Sequence, residues 1–169
     1  MKGKNRIIVI GSGGAGKSTL CVKLGQKTGI PVIHLDSLYW KENWTPLAKE
    51  EFDKLLMLEL EKPEWIIDGN FNRTLPLRLE AADYAVFLDF PPITCVLGVL
   101  KRVICNYGKT RPDMGPNCPE RFDLSFLKWV WRFRKQYRNQ YMKLLQDSGK
   151  EFIILKNRKD CSLFLDNFH

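Results

Sequence analysis

Residues 6–19 read RIIVIGSGGAGKST. Arg6-Ile7-Ile8-Val9-Ile10 is a short β-branched run of the kind that forms a buried strand. The next eight residues, Gly11 to Ser18, fit G-x-x-x-x-G-K-[ST], and a helix-compatible run begins at Thr19. Strand, glycine loop and helix in that order are the setting of a phosphate-binding loop. The glycines let successive backbone N–H groups turn inward toward phosphate oxygens, and a helix N-terminus adds partial positive charge. Lys17 then reaches the β- and γ-phosphates of a nucleoside triphosphate, and the Ser18 hydroxyl ligates Mg²⁺.

The rest of the composition is that of a globular domain. The chain has 169 residues, 44% hydrophobic and 27% charged, enough for one domain with a sizeable core. No apolar run approaches a membrane span, and the N-terminal apolar stretch is too short for a signal peptide. The expectation is a cytoplasmic protein with no membrane partner. Five cysteines show no C-x-x-C, and the histidines are His34 and His169, so free thiols are expected rather than zinc or disulfides. The net charge of +8 is concentrated in one place: residues 101–143 hold eleven Lys/Arg and three acids, and the remainder is balanced. A nucleic-acid surface explains that excess, and so does a cover that closes on polyphosphate.

Outward from the glycine loop, residues 31–35 look like a second strand ending at Asp36. An acid there is placed to hold Mg²⁺-bound water, to accept a proton from a substrate hydroxyl, or simply to cap the next turn. Residues 37–44 (SLYWKENW) are aromatic and irregular; Tyr39, Trp40 and Trp44 either wall an acceptor pocket or pack a helical insert. Thr45-Pro46 suits a helix start, with a helix running to Glu61 on an apolar face of Phe52, Leu55, Leu56 and Leu60. Residues 65–68 (WIID) make a third strand whose terminal Asp68 resembles a Mg²⁺-associated Walker B acid. Arg73 and Arg78 follow, suited to grip an acceptor or to pair with Glu80 or Asp83.

A fourth strand is expected at 84–88, then a buried helix at 93–105. Residues 106–123 are aperiodic and rich in Gly, Pro and basic residues, as in an active-site lid. Phe126, Val130, Phe133, Tyr137, Tyr141 and Leu144 share one face of a long helix, with Lys128, Arg132 and Lys135 on another, solvated or in contact with nucleotide or nucleic acid. Residues 152–155 form a fifth strand, and a last short helix follows Asn157. Strands alternating with helices give a three-layer α/β/α fold with a mainly parallel sheet. Ligands bind at the carboxyl edge of such a sheet, where Lys17, Asp36 and Asp68 would gather.

GSGGAGKST, HLDSLYW, WIIDGNFNRTLPLRLEAAD, LKRVICNYGKTRPDM and CPERFDLSFLKWVWRFRKQ together resemble the bacterial topology modulation protein family, small P-loop proteins related to adenylate kinase. The resemblance implies a single nucleoside monophosphate kinase-like domain with strand order 2-3-1-4-5, an acceptor-binding insert near 37–62 and a lid near 106–122. It implies that Gly11, Gly13, Gly14, Ala15 and Gly16 cradle ATP phosphates with Lys17, Ser18 and Thr19, and that Asp68 is associated with Mg²⁺. Arg102 would flank the ATP base, Arg111 and Arg121 would be lid arginines, and Asn157 to Lys159 would lie near the adenine. The sequence departs from the adenylate kinase pattern after the third strand, where the arginine of D-G-F-P-R falls one place late, at Arg73. It has no arginine between Arg6 and Arg73, and Asn106 stands where a second arginine is common.

The departures weaken the case for AMP, and His-Leu-Asp at the end of the second strand is closer in style to small-molecule kinases that phosphorylate hydroxyls; the expectation is an ATP-dependent kinase for a nucleotide, nucleoside or other hydroxyl acceptor. In that reading Lys17, Arg111 and Arg121 neutralise charge, Asp36 serves the acceptor hydroxyl, and Asp36, Trp40, Arg73 and Arg78 contact the acceptor. The alternative is an ATP-binding regulator of DNA topology that contacts nucleic acid through residues 101–143, although no reader motif is present.

Overall fold

The computed structural model describes residues 3–168. The β-branched run becomes strand β1 (Arg6–Gly11), buried on both faces at the centre of a parallel five-stranded sheet. β3 (Trp65–Asp68) and β4 (Tyr84–Leu88) flank it, with β2 (Val32–His34) and β5 (Glu151–Leu155) at the edges, in the order 2-3-1-4-5. Period-two alternation along β1 divides the core. Ile7 and Val9 join Leu20 and Leu24 of helix α1 (Lys17–Thr28) and Cys95 and Val99 of α5 (Pro92–Asn106) on one face. Ile8 and Ile10 face Phe52 and Leu56 of α3 (Lys49–Leu60), Leu75 and Leu79 of α4 (Leu75–Ala81), and Tyr141 of α6 (Leu124–Asp147). Helix α7 (Arg158–Asn167) closes the first face through Phe164. The arrangement is a three-layer α/β/α sandwich.

The aromatic stripe of α6 is core. Val130, Phe133 and Tyr141 are buried, whereas Lys128, Arg132 and Lys135 point to solvent. Asp123 caps this helix by accepting from the Phe126 N–H at 3.0 Å.

Four expectations are corrected. Residues 37–44 are not irregular: Leu35–Tyr39 form a short helix α2, and Trp40–Lys41 pair with Thr45–Pro46 in a hairpin. Thr45-Pro46 therefore starts no helix; α3 begins at Lys49 after Ala48. Proline suits an edge strand as well as a first helical turn, and here the contacts of the hairpin with a distant loop decide between them. Leu55 lies off the buried face of α3, which is built from Phe52, Leu56 and Leu60. Finally, α5 is buried on one side only, leaving Ile93, Leu97 and Ile104 exposed. None of the helices among the described residues is long and apolar enough to cross a membrane.

Candidate active site

The glycine loop owes its shape to two close approaches. Gly14 has φ +74°, and a Cβ there would lie 2.1 Å from the Cys95 carbonyl oxygen. Gly98 of α5 returns the contact, since a Cβ on it would lie 2.2 Å from the Gly14 carbonyl oxygen. Gly16, with φ +93°, turns the chain into α1, whose first turn carries no acid. The unpaired N–H groups of that helix end keep their positive potential for a ligand. Lys17 lies over the loop and donates from Nζ to the Ser12 carbonyl oxygen at 3.0 Å. Burial pulls its ammonium below the ordinary lysine range, while Asp68 and Asp36 push the other way.

A cleft of about 820 Å³ opens on this loop at the carboxyl edge of the sheet. Gly13, Gly14, Gly16, Lys17, Ser18 and Thr19 line one side. His34, Asp36, Asp68, Phe71, Arg111 and Asp113 line the other. A second cavity of about 700 Å³ continues from it, sharing Gly98, Lys101, Arg102, Asn106 and Arg158. Gly11 and Ala15 support the loop from below: Gly11 ends β1 and donates its N–H to Asn70 Oδ1 at 3.2 Å, and Ala15 is buried.

The two acids differ. Asp68 is buried, and its Oδ1 lies 2.8 Å from His34 Nδ1. Parallel register sets this contact, because His34 and Asp68 are paired on neighbouring strands. Burial opposes a charged His34, but the hydrogen bond and charge of Asp68 prevail and raise its pKa. Asp36 sits in the first turn of α2, two residues beyond the end of β2, and its carboxylate faces the cleft. The protein walling the cleft pushes that carboxyl above the usual range; Lys17 opposes the shift, Asp68 reinforces it, and Arg111 opposes it.

The loop 107–123 brings Arg111, Pro112 and Asp113 to the cleft and docks on the 40–46 hairpin. Asn43 N–H donates to the Asn117 carbonyl at 3.1 Å and Trp44 Nε1 to the Pro119 carbonyl at 3.2 Å. Gly115 packs so tightly on Trp40 that a Cβ would lie 1.7 Å from the Trp40 carbonyl oxygen. Buried Glu120 organises the inner side of the loop: its carboxylate meets Arg111 Nε at 2.8 Å and Arg102 Nε at 3.0 Å. Arg111 also donates to Asp113 at 2.8 Å.

Several expected contacts fall elsewhere. Arg78 is fully buried and donates to the carbonyls of Gly69, Asn70 and Phe71, so it fixes the loop after β3 and stands outside the cleft lining. Arg73 is exposed and held in a bidentate pair with Asp53 of α3, rather than with Glu80 or Asp83. Trp40 packs edge-on against Tyr39 and Trp44 at the contact between insert and lid, outside the cleft lining. Arg121 is exposed, with its guanidinium 5.2 Å from the centre of the Trp44 ring. Asn157 caps α7 by accepting from Asp160 N–H, while its neighbour Arg158 lines both cavities. Within 101–143, Arg134 and Arg138 turn onto Asp89, and Arg102 and Arg111 onto Glu120, so part of the positive excess is internal. His34, Glu120 and Asp113 enter the site unannounced. The H-L-D sequence held the signal for His34, but the partners of Glu120 lie nine and eighteen residues away in an aperiodic loop and its flanking helix.

No family model matches the chain, and no curated protein matches it. The likeness to the topology modulation proteins therefore rests on the quoted motifs. Solved structures do match over nearly the whole length. A shikimate kinase from Bacteroides thetaiotaomicron shares 16% identity at TM-score 0.57, over 96% of this chain and 94% of its own. A gluconokinase from Sinorhizobium meliloti shares 16% identity at TM-score 0.56, over 96% of this chain and 92% of its own. The chain shares the three-layer α/β/α fold of these structures.

Proposed function

We propose that the protein is an ATP- and Mg²⁺-dependent kinase that phosphorylates a hydroxyl group on a small molecule. One observation carries this reading: Lys17, Ser18, Asp36 and Asp68 line a single cleft, to which the loop 107–123 adds Arg111, Pro112 and Asp113. Both solved relatives are named as kinases of small molecules, which agrees with the proposal.

The long axis of the site accommodates the substrates in order. The adenine end lies in the cavity shared by Arg102 and Arg158. The triphosphate lies along Gly13 to Thr19, a loop whose place is set by the close approach of Gly14 to Cys95 and Val99 of α5. The acceptor occupies the side bounded by His34, Asp36 and Phe71. Ser18 and Asp68 offer hard oxygen donors of the kind Mg²⁺ takes, and no three-acid cage exists among the described residues. That fits a metal held by one or two protein oxygens, with substrate phosphates and water completing its shell. Mg²⁺ would supply charge neutralisation at the β- and γ-phosphates.

Lys17 moves from the Ser12 carbonyl to a phosphate oxygen and follows the charge that builds during transfer. Asp36 orients the acceptor hydroxyl and takes its proton as the oxygen–phosphorus bond forms; its raised pKa makes it a better base than an ordinary aspartate. His34 holds the Asp68 carboxylate in place. The lid, locked to the insert through Asn117 and Pro119, excludes water that would otherwise take the phosphoryl group.

The test is ADP release from Mg-ATP across a panel of nucleosides, nucleoside monophosphates and hydroxylated metabolites. Acceptor-dependent release that disappears in Lys17→Ala, and in Asp36→Asn, supports the proposal. ADP release that no acceptor raises above the basal rate refutes it.

A further inference from the structure

The acceptor half of the cleft carries its own statement about charge. With Lys17 given to the triphosphate, every cation there is already answered by a carboxylate. His34 is held by Asp68 at 2.8 Å, and Arg111 by Asp113 and Glu120, both at 2.8 Å. The two arginines suggested by the sequence are withdrawn, Arg73 onto Asp53 and Arg78 onto three backbone carbonyls. On the other side of the ledger stands Asp36, which faces the cleft and has no ion-pair or hydrogen-bond partner among the described residues. The acceptor half is therefore net negative, and Phe71 is part of the same lining.

Resting on the kinase reading, we infer that the acceptor is a hydroxyl compound that is uncharged or carries an ammonium group, and that anionic hydroxyl compounds are rejected. An anion entering this half meets the unpaired Asp36 carboxylate and, with Lys17 engaged by the triphosphate, finds no free cation. To gain one it must take Arg111 from Asp113 and from Glu120, leaving the buried Glu120 carboxylate short of a partner. A like charge set against Asp36 is the repulsive element that gives such a site its selectivity. An ammonium meets the opposite situation: a free carboxylate, with the aromatic side chain of Phe71 in the same lining. Neutral polyols bring no charge to set against Asp36. The transfer step is the ordinary one: the acceptor oxygen bonds to the γ-phosphorus, the bond to the β-bridging oxygen breaks, ADP leaves, and the hydroxyl proton passes to Asp36.

Matched acceptors separate charge from shape. We would measure kcat/KM for phosphorylated product with Mg-ATP on three sets: glucosamine, glucose and glucuronate; serinol, glycerol and glycerate; a nucleoside and its monophosphate. Shikimate and gluconate extend the acid group. The expected result is that the best acceptor in the panel is an amine or a neutral compound, exceeding its acid counterpart by about 100-fold or more. In Asp113→Asn, which loosens the hold on Arg111, that ratio narrows by about 10-fold, a change that a purely structural role for Asp113 would not produce. Lys17-dependent transfer that is fastest to an acid overturns the inference and leaves the kinase reading standing. A ratio unmoved in Asp113→Asn overturns its electrostatic origin. Absence of phosphorylated product with every member overturns the kinase reading and the inference together.

Discussion

Gly98→Ala sets two physical effects against each other. Gly98 lies inside α5, where exchanging glycine for alanine ordinarily stabilises a helix by about 0.5–1 kcal/mol. Here the added methyl would sit 2.2 Å from the Gly14 carbonyl oxygen and 3.0 Å from the Gly14 carbonyl carbon. A carbon–oxygen contact normally settles at about 3.3 Å, so the helix and the glycine loop must part by about 1 Å. The obstacle is backbone on both sides. It cannot rotate away as a side chain would, and Gly14 is itself pinned against Cys95. Overpacking of this kind costs about 1–3 kcal/mol, which exceeds the propensity gain and reverses the sign of the substitution. The displaced element is the one that cradles phosphate, and misplacement by about 1 Å costs on the order of 100-fold in rate. Urea unfolding therefore shows Gly98→Ala less stable than wild type by about 1–2 kcal/mol, and titration with ATP shows weakened binding. A variant that is more stable than wild type and binds ATP unchanged would refute the close packing of α5 on the loop.

Further expectations follow from individual side chains. Asp36→Asn lowers acceptor-dependent turnover by about 100-fold or more, the range for loss of a general base. It also raises the melting temperature at pH 7: because the folded pKa of Asp36 is raised, its ionised form is disfavoured in the fold, and asparagine removes that penalty. Asp89 has the opposite sign. Burial pushes its carboxyl up, but Arg134 and Arg138 prevail and hold it below the usual range. Its stabilisation is then present above about pH 4 and lost as pH falls through the lower folded value. Chemical denaturation at several pH values finds Asp89→Asn weaker than wild type by about 2 kcal/mol at neutral pH, with the gap closing only in strong acid. Arg78→Met removes the donor for three carbonyls and costs about 3 kcal/mol or more in unfolding free energy, with little salt dependence because the site is buried.

Much of this architecture is local chemistry and so is visible in the sequence. β-branched runs fix the strands, and the glycine spacing fixes the loop between β1 and α1. The aromatic spacing of α6 finds its inner face: Val130, Phe133 and Tyr141 are buried and Phe126, Tyr137 and Leu144 half-buried, with Leu145 completing the buried set. What escaped is decided by partners far along the chain. Thr45-Pro46 is a hairpin strand because residues 115–119 pack on its turn. Arg78 looks like a ligand-binding arginine until the chain folds back and offers it the carbonyls of residues 69–71. Arg73 looks free until α3 brings Asp53 beside it. His34 gains its meaning from strand register with Asp68, thirty-four positions later. In each case residue type announced a strong interaction, and tertiary structure selected its partner.

The most direct test of the central claim follows the phosphoryl group itself. With ATP labelled in its γ-phosphoryl group, Mg²⁺ and the best acceptor of the panel, mass spectrometry should find the label on the acceptor, in amounts equal to the ADP formed and absent in Lys17→Ala. Label recovered only as inorganic phosphate, with no acceptor adduct, would contradict the account and mark the protein as a hydrolase on a kinase fold.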